Sequence, residues 1–239
     1  MPILDHVGAL RRRVETMTLV GVAVIGAALL AFVALASEMI EGDLHAFDTA
    51  ILLSLRTPGD LSQPIGGSQM ETAMRDLTAL GGVSVLTLMT VVVLAYLVLR
   101  RQRAAALLLG VAIAGGLLLS SLAKTGFSRP RPDLVPHGVE ALTASFPSGH
   151  SMMAAVTYLS LAVMLARTES RLRIRAFYIG IAVLLTVLVG VSRVYLGVHW
   201  PSDVLAGWSL GAAWALAVWL AARLMARGGR IEPEERQSR

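Results

Sequence analysis

No cysteine occurs among the 239 residues. That absence excludes a disulfide framework, a thiolate nucleophile and a cysteine-ligated metal. Charge is scarce: 15% of residues are charged, against roughly 25% in soluble domains, and mean hydropathy is +0.68. A water-soluble globule is thereby disfavoured, and so is disorder, which needs low hydrophobicity and high charge. Lysine occurs once, at Lys124, so arginine carries nearly all of the basic charge behind the net +5. The arginines cluster between apolar runs, a pattern of membrane orientation and not of a nucleic-acid-binding face. There is no carboxylate cluster of the kind that holds catalytic divalent cations, so neither a metal nor another cofactor is expected. No internal repeat is present.

What the chain does have is apolar length. Six stretches can cross a bilayer: 16–37, 77–99, 104–123, 151–166, 176–191 and 204–222. A spanning helix needs about 20 apolar residues. The fourth and fifth stretches are short, so either they extend through polar ends such as 147–150 or the bilayer-facing surface dips there. None alternates with the period of a membrane strand. The first stretch follows Arg11, Arg12 and Arg13 like a secretory signal. It exceeds the roughly 7–15 residues of a signal core and is read as a retained helix. The expected fold is therefore an all-α integral membrane protein with six transmembrane helices.

Every second connection is arginine-rich. Arg11–Arg13, then Arg100, Arg101 and Arg103, then Arg167, Arg171, Arg173 and Arg175, then Arg223, Arg227 and Arg230 mark the cytoplasmic side. Both termini are expected inside, and connections 38–76, 124–150 and 192–203 outside. In the long 38–76 connection, Asp48 is expected to cap a short interfacial helix over 49–56, more a plug than a gate. Thr57-Pro58-Gly59-Asp60 ends it and Gly66-Gly67 is a turn. Residues 1–226 form one membrane domain, and 227–239 read as a disordered cytoplasmic tail.

The chemistry collects in the other two outward connections. One contains Lys124-Thr-Gly-Phe-Ser-Arg129-Pro-Arg131-Pro132 and, further on, Pro147-Ser148-Gly149-His150. The other contains Ser192-Arg193-Val-Tyr-Leu-Gly-Val-His199-Trp-Pro-Ser-Asp203. These blocks resemble the type 2 phosphatidic acid phosphatase superfamily of metal-independent membrane lipid phosphatases. Its signature is K-x6-R-P, then P-S-G-H, then S-R-x5-H-x3-D. Lys124, Arg131 and Pro132 match the first block, Pro147 to His150 the second, and Ser192, Arg193, His199 and Asp203 the third, without departure. The resemblance implies a lipid phosphomonoester or pyrophosphate substrate. Undecaprenyl pyrophosphate and phosphatidylglycerophosphate come first for a bacterial-looking chain of this size, with phosphatidic acid in the same class.

The residue types support this chemistry independently. A phosphoryl group in flight spreads charge over its oxygens, so positioning and electrostatics dominate. Lys124, Arg131 and Arg193 supply cations, the arginines as planar forks. Ser148 and Gly149 lie where a helix begins, an anion site made of backbone N–H groups. Pro201 suits a first helical turn, which places Asp203 at the position of a capping-box acid. Asp203 then accepts Nδ1–H from His199 and leaves Nε2 free to attack phosphorus, while His150 protonates the leaving oxygen and later activates water. The resemblance implies the same catalytic set, His199, His150 and Asp203, and a phosphohistidine intermediate.

Arg129 is read as an assisting loop cation balanced by Asp133. Ser192 is expected to bond locally, His6, His45 and His137 to be solvated, and the tryptophans to serve interfacial belts and packing. The expected setting is a multi-pass cell (inner) membrane protein, its site facing the periplasm or exterior. Its partners are a lipid phosphate and membrane lipids, with no nucleic acid. The alternatives are headgroup or phosphoryl transfer at the same site, or a lipid transporter. Transporters bury polar groups near the midplane, whereas the ionisable residues here lie at helix ends.

Overall fold

The computed structural model describes residues 2–135 and 143–227, with side chains placed for 15–135 and 143–225. His137, the side chain of His6 and the tail beyond Arg227 lie outside the described residues. Among the described residues, eight helices and one short hairpin follow in order: α1 (Pro2–Glu41), α2 (His45–Ser54), β1 (Arg56–Thr57), β2 (Asp60–Pro64), α3 (Gly67–Ala79), α4 (Val83–Leu99), α5 (Arg103–Phe127), α6 (Gly149–Thr168), α7 (Leu172–Tyr195) and α8 (Pro201–Arg227).

Five helical segments among the described residues have the length and apolarity of a membrane span: Glu15–Glu41, Arg103–Phe127, Gly149–Thr168, Leu172–Tyr195 and Pro201–Met225. A sixth arises if α3 and α4, bent by 41° at their junction, are counted as one. The helices leave large side chains uncovered, with Leu30 72%, Leu88 67%, Leu99 84% and Leu172 78% exposed. Such a surface is stable in hydrocarbon and aggregates in water. The protein is a multi-pass membrane protein.

One expected span differs from the reading of the sequence, and two others resolve the choice it left open. The short fourth and fifth stretches extend through their polar ends, to 20 residues in α6 and 24 in α7. At 1.5 Å per residue that is about 30 and 36 Å, enough to cross. The second stretch is not continuous: it breaks at Leu80-Gly81-Gly82, between α3 and α4. A Cβ on Gly81 would stand 2.4 Å from Val189 Cγ1 and 3.3 Å from the His150 carbonyl oxygen. The break is therefore fitted tightly between α6 and α7. Tyr158 donates to the Leu80 carbonyl at 2.7 Å, satisfying an acceptor released by the break.

The centre of the bundle is α6, packed against α4, α5, α7 and α8. Residues Ser151 to Tyr158 are buried without interruption. Small residues make this possible. A Cβ on Gly207 would lie 2.7 Å from the Ser148 carbonyl, and one on Gly211 2.5 Å from that of Met152. Helix α8 thus rests directly on the backbone of the first turns of α6, while α1 lies along α8.

The 38–76 connection departs most from expectation. Helix α2 begins at His45, four residues before the expected 49–56 element, and no side chain caps it. Asp48 lies inside its first turn, fully buried, and serves another helix altogether. Leu52 of α2 packs against Val135, Val194, Trp200 and Val204, fixing α2 over one end of the bundle. The hairpin, unexpected from the sequence, pairs Arg56 with Pro64 and Thr57 with Asp60. Arg56 is buried and donates to the Tyr195 carbonyl at 2.9 Å, tying the hairpin to the end of α7.

Candidate active site

Four helix ends meet at the end of the bundle beneath α2: the C-termini of α5 and α7 and the N-termini of α6 and α8. Each terminates for a local reason. Ser128 closes α5 with φ +46° ahead of Pro130 and Pro132. Gly197 turns the chain out of α7 with φ +73°, a conformation costly for residues with a Cβ. Helix α8 starts at Pro201, and Asp203 Oδ2 accepts the Trp200 N–H at 2.9 Å. This is the carboxylate half of a capping box, with the proline in the first helical position.

This convergence brings together all eight residues singled out in the sequence. His199 is 1% exposed and Asp203 fully buried. His199 Nδ1 stands 3.4 Å from Asp203 Oδ2. On the other side of the ring, Arg131 Nη1 lies 3.2 Å from Nε2. A guanidinium only donates, so Nε2 is the acceptor and Nδ1 carries the proton. Arg131 is itself held by the carbonyls of Thr143 (2.8 Å) and Val198 (2.7 Å). Burial pushes the His199 pKa down to about 4, with Arg193 and Arg131 acting in the same direction and Asp203 opposing them. The ring is neutral at physiological pH, its lone pair on the side of the arginines. Burial also lowers the pKa of Arg131, with Asp203 opposing.

Lys124 reaches from the last turn of α5 to Thr143 Oγ1 (3.1 Å) and the Ala144 carbonyl (2.9 Å). A Cβ on Gly149 would come within 3.9 Å of its Nζ, so the missing side chain opens room beside the ammonium. Arg193 is 3% exposed and donates from Nη1 to Thr78 Oγ1 at 3.1 Å, while its buried Nε has no partner. A buried, unpartnered guanidinium N–H is costly, and a phosphate oxygen would satisfy it. His150 lies within electrostatic reach of Arg193, His199, Lys124 and Arg131. Ser148 has a different task from the one expected. Its hydroxyl caps α6, accepting from Ser151 N at 3.4 Å and Ser151 Oγ at 2.9 Å, and its own N–H is committed to the Asp203 carbonyl at 2.9 Å. The amide donors of that helix start are instead those of Gly149 and His150, which have no intrahelical acceptor.

Several site residues escaped the sequence reading. Ser145 Oγ makes a very short hydrogen bond to Asp203 Oδ2 and lies 3.3 Å from His199 Nδ1. Nothing distinguishes it in the sequence beyond its place just before the Pro147 block. Thr78 was hidden inside an apparent membrane stretch. Arg129 is paired with Asp48 (2.8 Å) and Asp203 (2.7 Å) and not balanced by Asp133, which is exposed. Ser192, as expected, bonds locally to the Val189 carbonyl at 2.7 Å, and His45 is exposed. Among the described residues, no three histidine, aspartate or glutamate side chains converge as metal ligands.

The chain is similar to proteins of known family. The family model of the PAP2 superfamily matches residues 104–225. Phosphatidylglycerophosphatase B of Bacillus subtilis is 40% identical over 144 residues, 59% of this chain and 70% of that protein. A lipid A 1-phosphatase of Rhizobium johnstonii is 34% identical over 121 residues, 47% of this chain and 44% of that one. The crystal structure of a transmembrane PAP2-type phosphatidylglycerolphosphate phosphatase from Bacillus subtilis superposes with a TM-score of 0.73 at 31% identity, covering 85% of this chain and 98% of that one. The chain belongs to the PAP2 superfamily.

Proposed function

We propose that this membrane phosphatase removes phosphate from a lipid phosphomonoester or pyrophosphate by way of a phosphohistidine, and that phosphatidylglycerophosphate and undecaprenyl pyrophosphate are the first substrates to test. The observation that carries the reading is the pair of contacts on the His199 ring, Nδ1 3.4 Å from Asp203 Oδ2 and Nε2 3.2 Å from Arg131 Nη1, from which we infer Nδ1–H toward the carboxylate and a lone pair on Nε2. In the first step Nε2 forms a bond to the terminal phosphorus, and the bond from that phosphorus to the leaving oxygen breaks, the lipid ester oxygen in a monoester or the bridging oxygen in a pyrophosphate. His150 delivers a proton to that oxygen, and Asp203 stabilises the cationic ring. In the second step water loses a proton to His150, attacks phosphorus, and the N–P bond breaks to release phosphate. Lys124, Arg131 and Arg193, with the first-turn amides at Gly149, neutralise the oxygens throughout.

We infer six spans with both termini cytoplasmic, residues 1–226 acting as one membrane unit, and a site facing the periplasm or exterior. The described arginine-rich connections 100–103 and 167–175 support this orientation, since they join the ends of α4 to α5 and of α6 to α7 that lie opposite the site. The lipid tail then remains in hydrocarbon while its headgroup enters the cationic cup.

The test is phosphate release by the purified protein in detergent from a panel of lipid phosphates. ³²P-labelled lipid is added to the wild-type enzyme and the reaction quenched rapidly to trap the enzyme-bound phosphate, since His150 acts in both steps. Acid-labile, base-stable label lost in His199→Ala is expected; turnover by His199→Ala at the wild-type rate would overturn the reading. The chain has no cysteine, so single cysteines at Ser62 and Ser170 report the orientation cleanly. Labelling by an impermeant reagent from outside is expected at 62 and not at 170, and the reverse would contradict it.

A further inference from the structure

Arg129 belongs to no fixed position of the three motif blocks, yet it occupies the junction between two fully buried carboxylates. Nη1 donates to Asp203 Oδ1 at 2.7 Å and to Ser202 Oγ at 2.8 Å, and Nη2 to Asp48 Oδ2 at 2.8 Å. The guanidinium carbon lies 5.5 Å from the centre of the Trp200 ring, which holds the plane of the fork. Asp48 comes from α2, 154 residues before Ser202, and accepts the Ser202 N–H at 2.8 Å and its hydroxyl at 2.6 Å. The outer connection therefore contributes a carboxylate to the first turn of α8, next to the residue that orients His199.

We propose that Asp48 and Arg129 are positioning residues for the Asp203–His199 pair, so that the connection between α1 and α3 is part of the catalytic apparatus. The proposal rests on the reading of His199 as nucleophile. Asp203 Oδ2 is engaged by Trp200 N–H, Ser145 Oγ and His199. Oδ1 is the oxygen left, and Arg129 takes it. That contact fixes the rotation of the carboxylate and so the position of Nδ1–H. It also draws part of the Asp203 charge away from the ring, while Asp48 draws on Arg129 in turn. The groups facing His199 are Asp203 of α8, Arg193 of α7, Arg131 after α5 and His150 of α6. Arg129 and Asp48 act on the ring through the first of these. A lysine cannot reproduce the device, since two carboxylates are held by two nitrogens of one rigid plane.

The opposite charges give opposite signs. Removing Arg129 leaves Asp203 fully available to His199 and makes the ring more basic. Removing the charge of Asp48 leaves Arg129 undivided on Asp203 and makes the ring less basic. The experiment uses the full-length protein in detergent with phosphatidylglycerophosphate as the probe, measuring kcat and KM across the pH range for Arg129→Gln, Arg129→Lys, Asp48→Asn and the double variant R129Q/D48N. A fall in kcat between about 10- and 100-fold is expected for each, as for groups that orient a reacting residue from one layer out, with KM within about twofold. The acid limb of kcat/KM is expected to move up in pH for Arg129→Gln, down for Asp48→Asn and back toward wild type in the double variant. The substrate's own ionisation is common to all and cancels in the comparison.

Breaking a buried ion pair is destabilising, whereas removing both charges together is less so. If the single variants do not fold, the double variant therefore decides the matter: low kcat with preserved KM supports the proposal, and wild-type kcat overturns it. Acid limbs that move in the same direction in the two single variants, or kcat within about threefold of wild type in both, also overturn it. His199→Ala is run alongside. Loss of turnover there with wild-type kcat in the Asp48 and Arg129 variants rejects the positioning role alone, while turnover by His199→Ala rejects the nucleophile itself.

Discussion

Asp203→Asn changes one atom of the side chain and tests the whole orientation of the site. In the native arrangement both carboxylate oxygens face donors: Arg129 Nη1 at 2.7 Å on Oδ1, and Trp200 N–H at 2.9 Å, Ser145 Oγ and the His199 Nδ1 proton on Oδ2. An amide offers one oxygen and one NH₂ group. If the NH₂ replaces Oδ1, it opposes the guanidinium. If it replaces Oδ2, it opposes the Trp200 amide and donates to Nδ1, which drives the ring proton to Nε2. In that tautomer the lone pair needed for attack is gone and Nε2–H points at Arg131 Nη1, 3.2 Å away. A buried donor left unsatisfied costs about 1–3 kcal/mol, so the protein loses stability without being abolished. The same exchange in a serine-histidine-aspartate triad lowers kcat about 10⁴-fold, equivalent to roughly 5.4 kcal/mol at 1.36 kcal/mol per decade. A loss of that order in kcat is expected here, with KM nearly constant because Lys124, Arg131 and Arg193 are untouched. The assay is steady-state phosphate release in detergent beside a thermal melt. A folded Asp203→Asn protein turning over within about tenfold of wild type would refute the tautomer argument.

The depressed pKa of His199, about 4, places the titration of the ring in the free enzyme near pH 4, and an imidazole seen by NMR to titrate near the ordinary 6.5 in the folded protein would contradict the burial of the ring. The same shift is a statement about stability. Between about pH 6.5 and 4 the unfolded chain binds a proton at this ring that the folded chain does not, so stability falls as pH falls through that window, by up to about 1.4 kcal/mol per pH unit. Thermal melts should show this slope in wild type and its reduction in His199→Gln. Ser148→Ala removes a helix cap and should cost about 1 kcal/mol in a melt with little change in KM; a large rise in KM would assign the hydroxyl to the phosphate instead. Arg193→Lys surrenders the unpartnered Nε and the fork. KM for the lipid and the inhibition constant of vanadate should then both rise at least about tenfold, and unchanged vanadate inhibition would remove Arg193 from the oxyanion site.

The parts of the site that were legible in the sequence are those fixed by local geometry. Pro201 and the acid two residues later imply a helix start whether or not its neighbours are known, and Asp203 does bond back to Trp200 as that pattern requires. Apolar length likewise implies the long helices α1, α5 and α8. What stayed hidden depends on contacts between residues remote in sequence. Asp48 has the sequence context of a cap for its own helix, and only the docking of α2 over α8 reveals that it caps the other one. The break at Leu80–Gly82 reads as one more pair of small residues in an apolar run, because a paired glycine is tolerated in a membrane helix. Its cause lies in α6 and α7, whose His150 and Val189 leave no room for a side chain at position 81.

These hidden contacts share a physical origin. A membrane interior gives helices little hydrophobic reason to associate, so close approach must come from small residues and polar bonds. Gly207 and Gly211 let the backbone of α8 lie against the Ser148 and Met152 carbonyls, and that approach is what allows the Ser148 N–H to reach the Asp203 carbonyl at 2.9 Å. The block carrying His150 and the block carrying His199 are therefore joined by main chain as well as by side chains. Polar groups then extend the joint outward, from Asp203 to Arg129 to Asp48. Each bond in that series lies among residues with little or no exposure, where an unsatisfied partner is expensive. The site is held rigid by the same condition that keeps the bundle together, and a substitution far out in α2 acts on the ring of His199 without touching it.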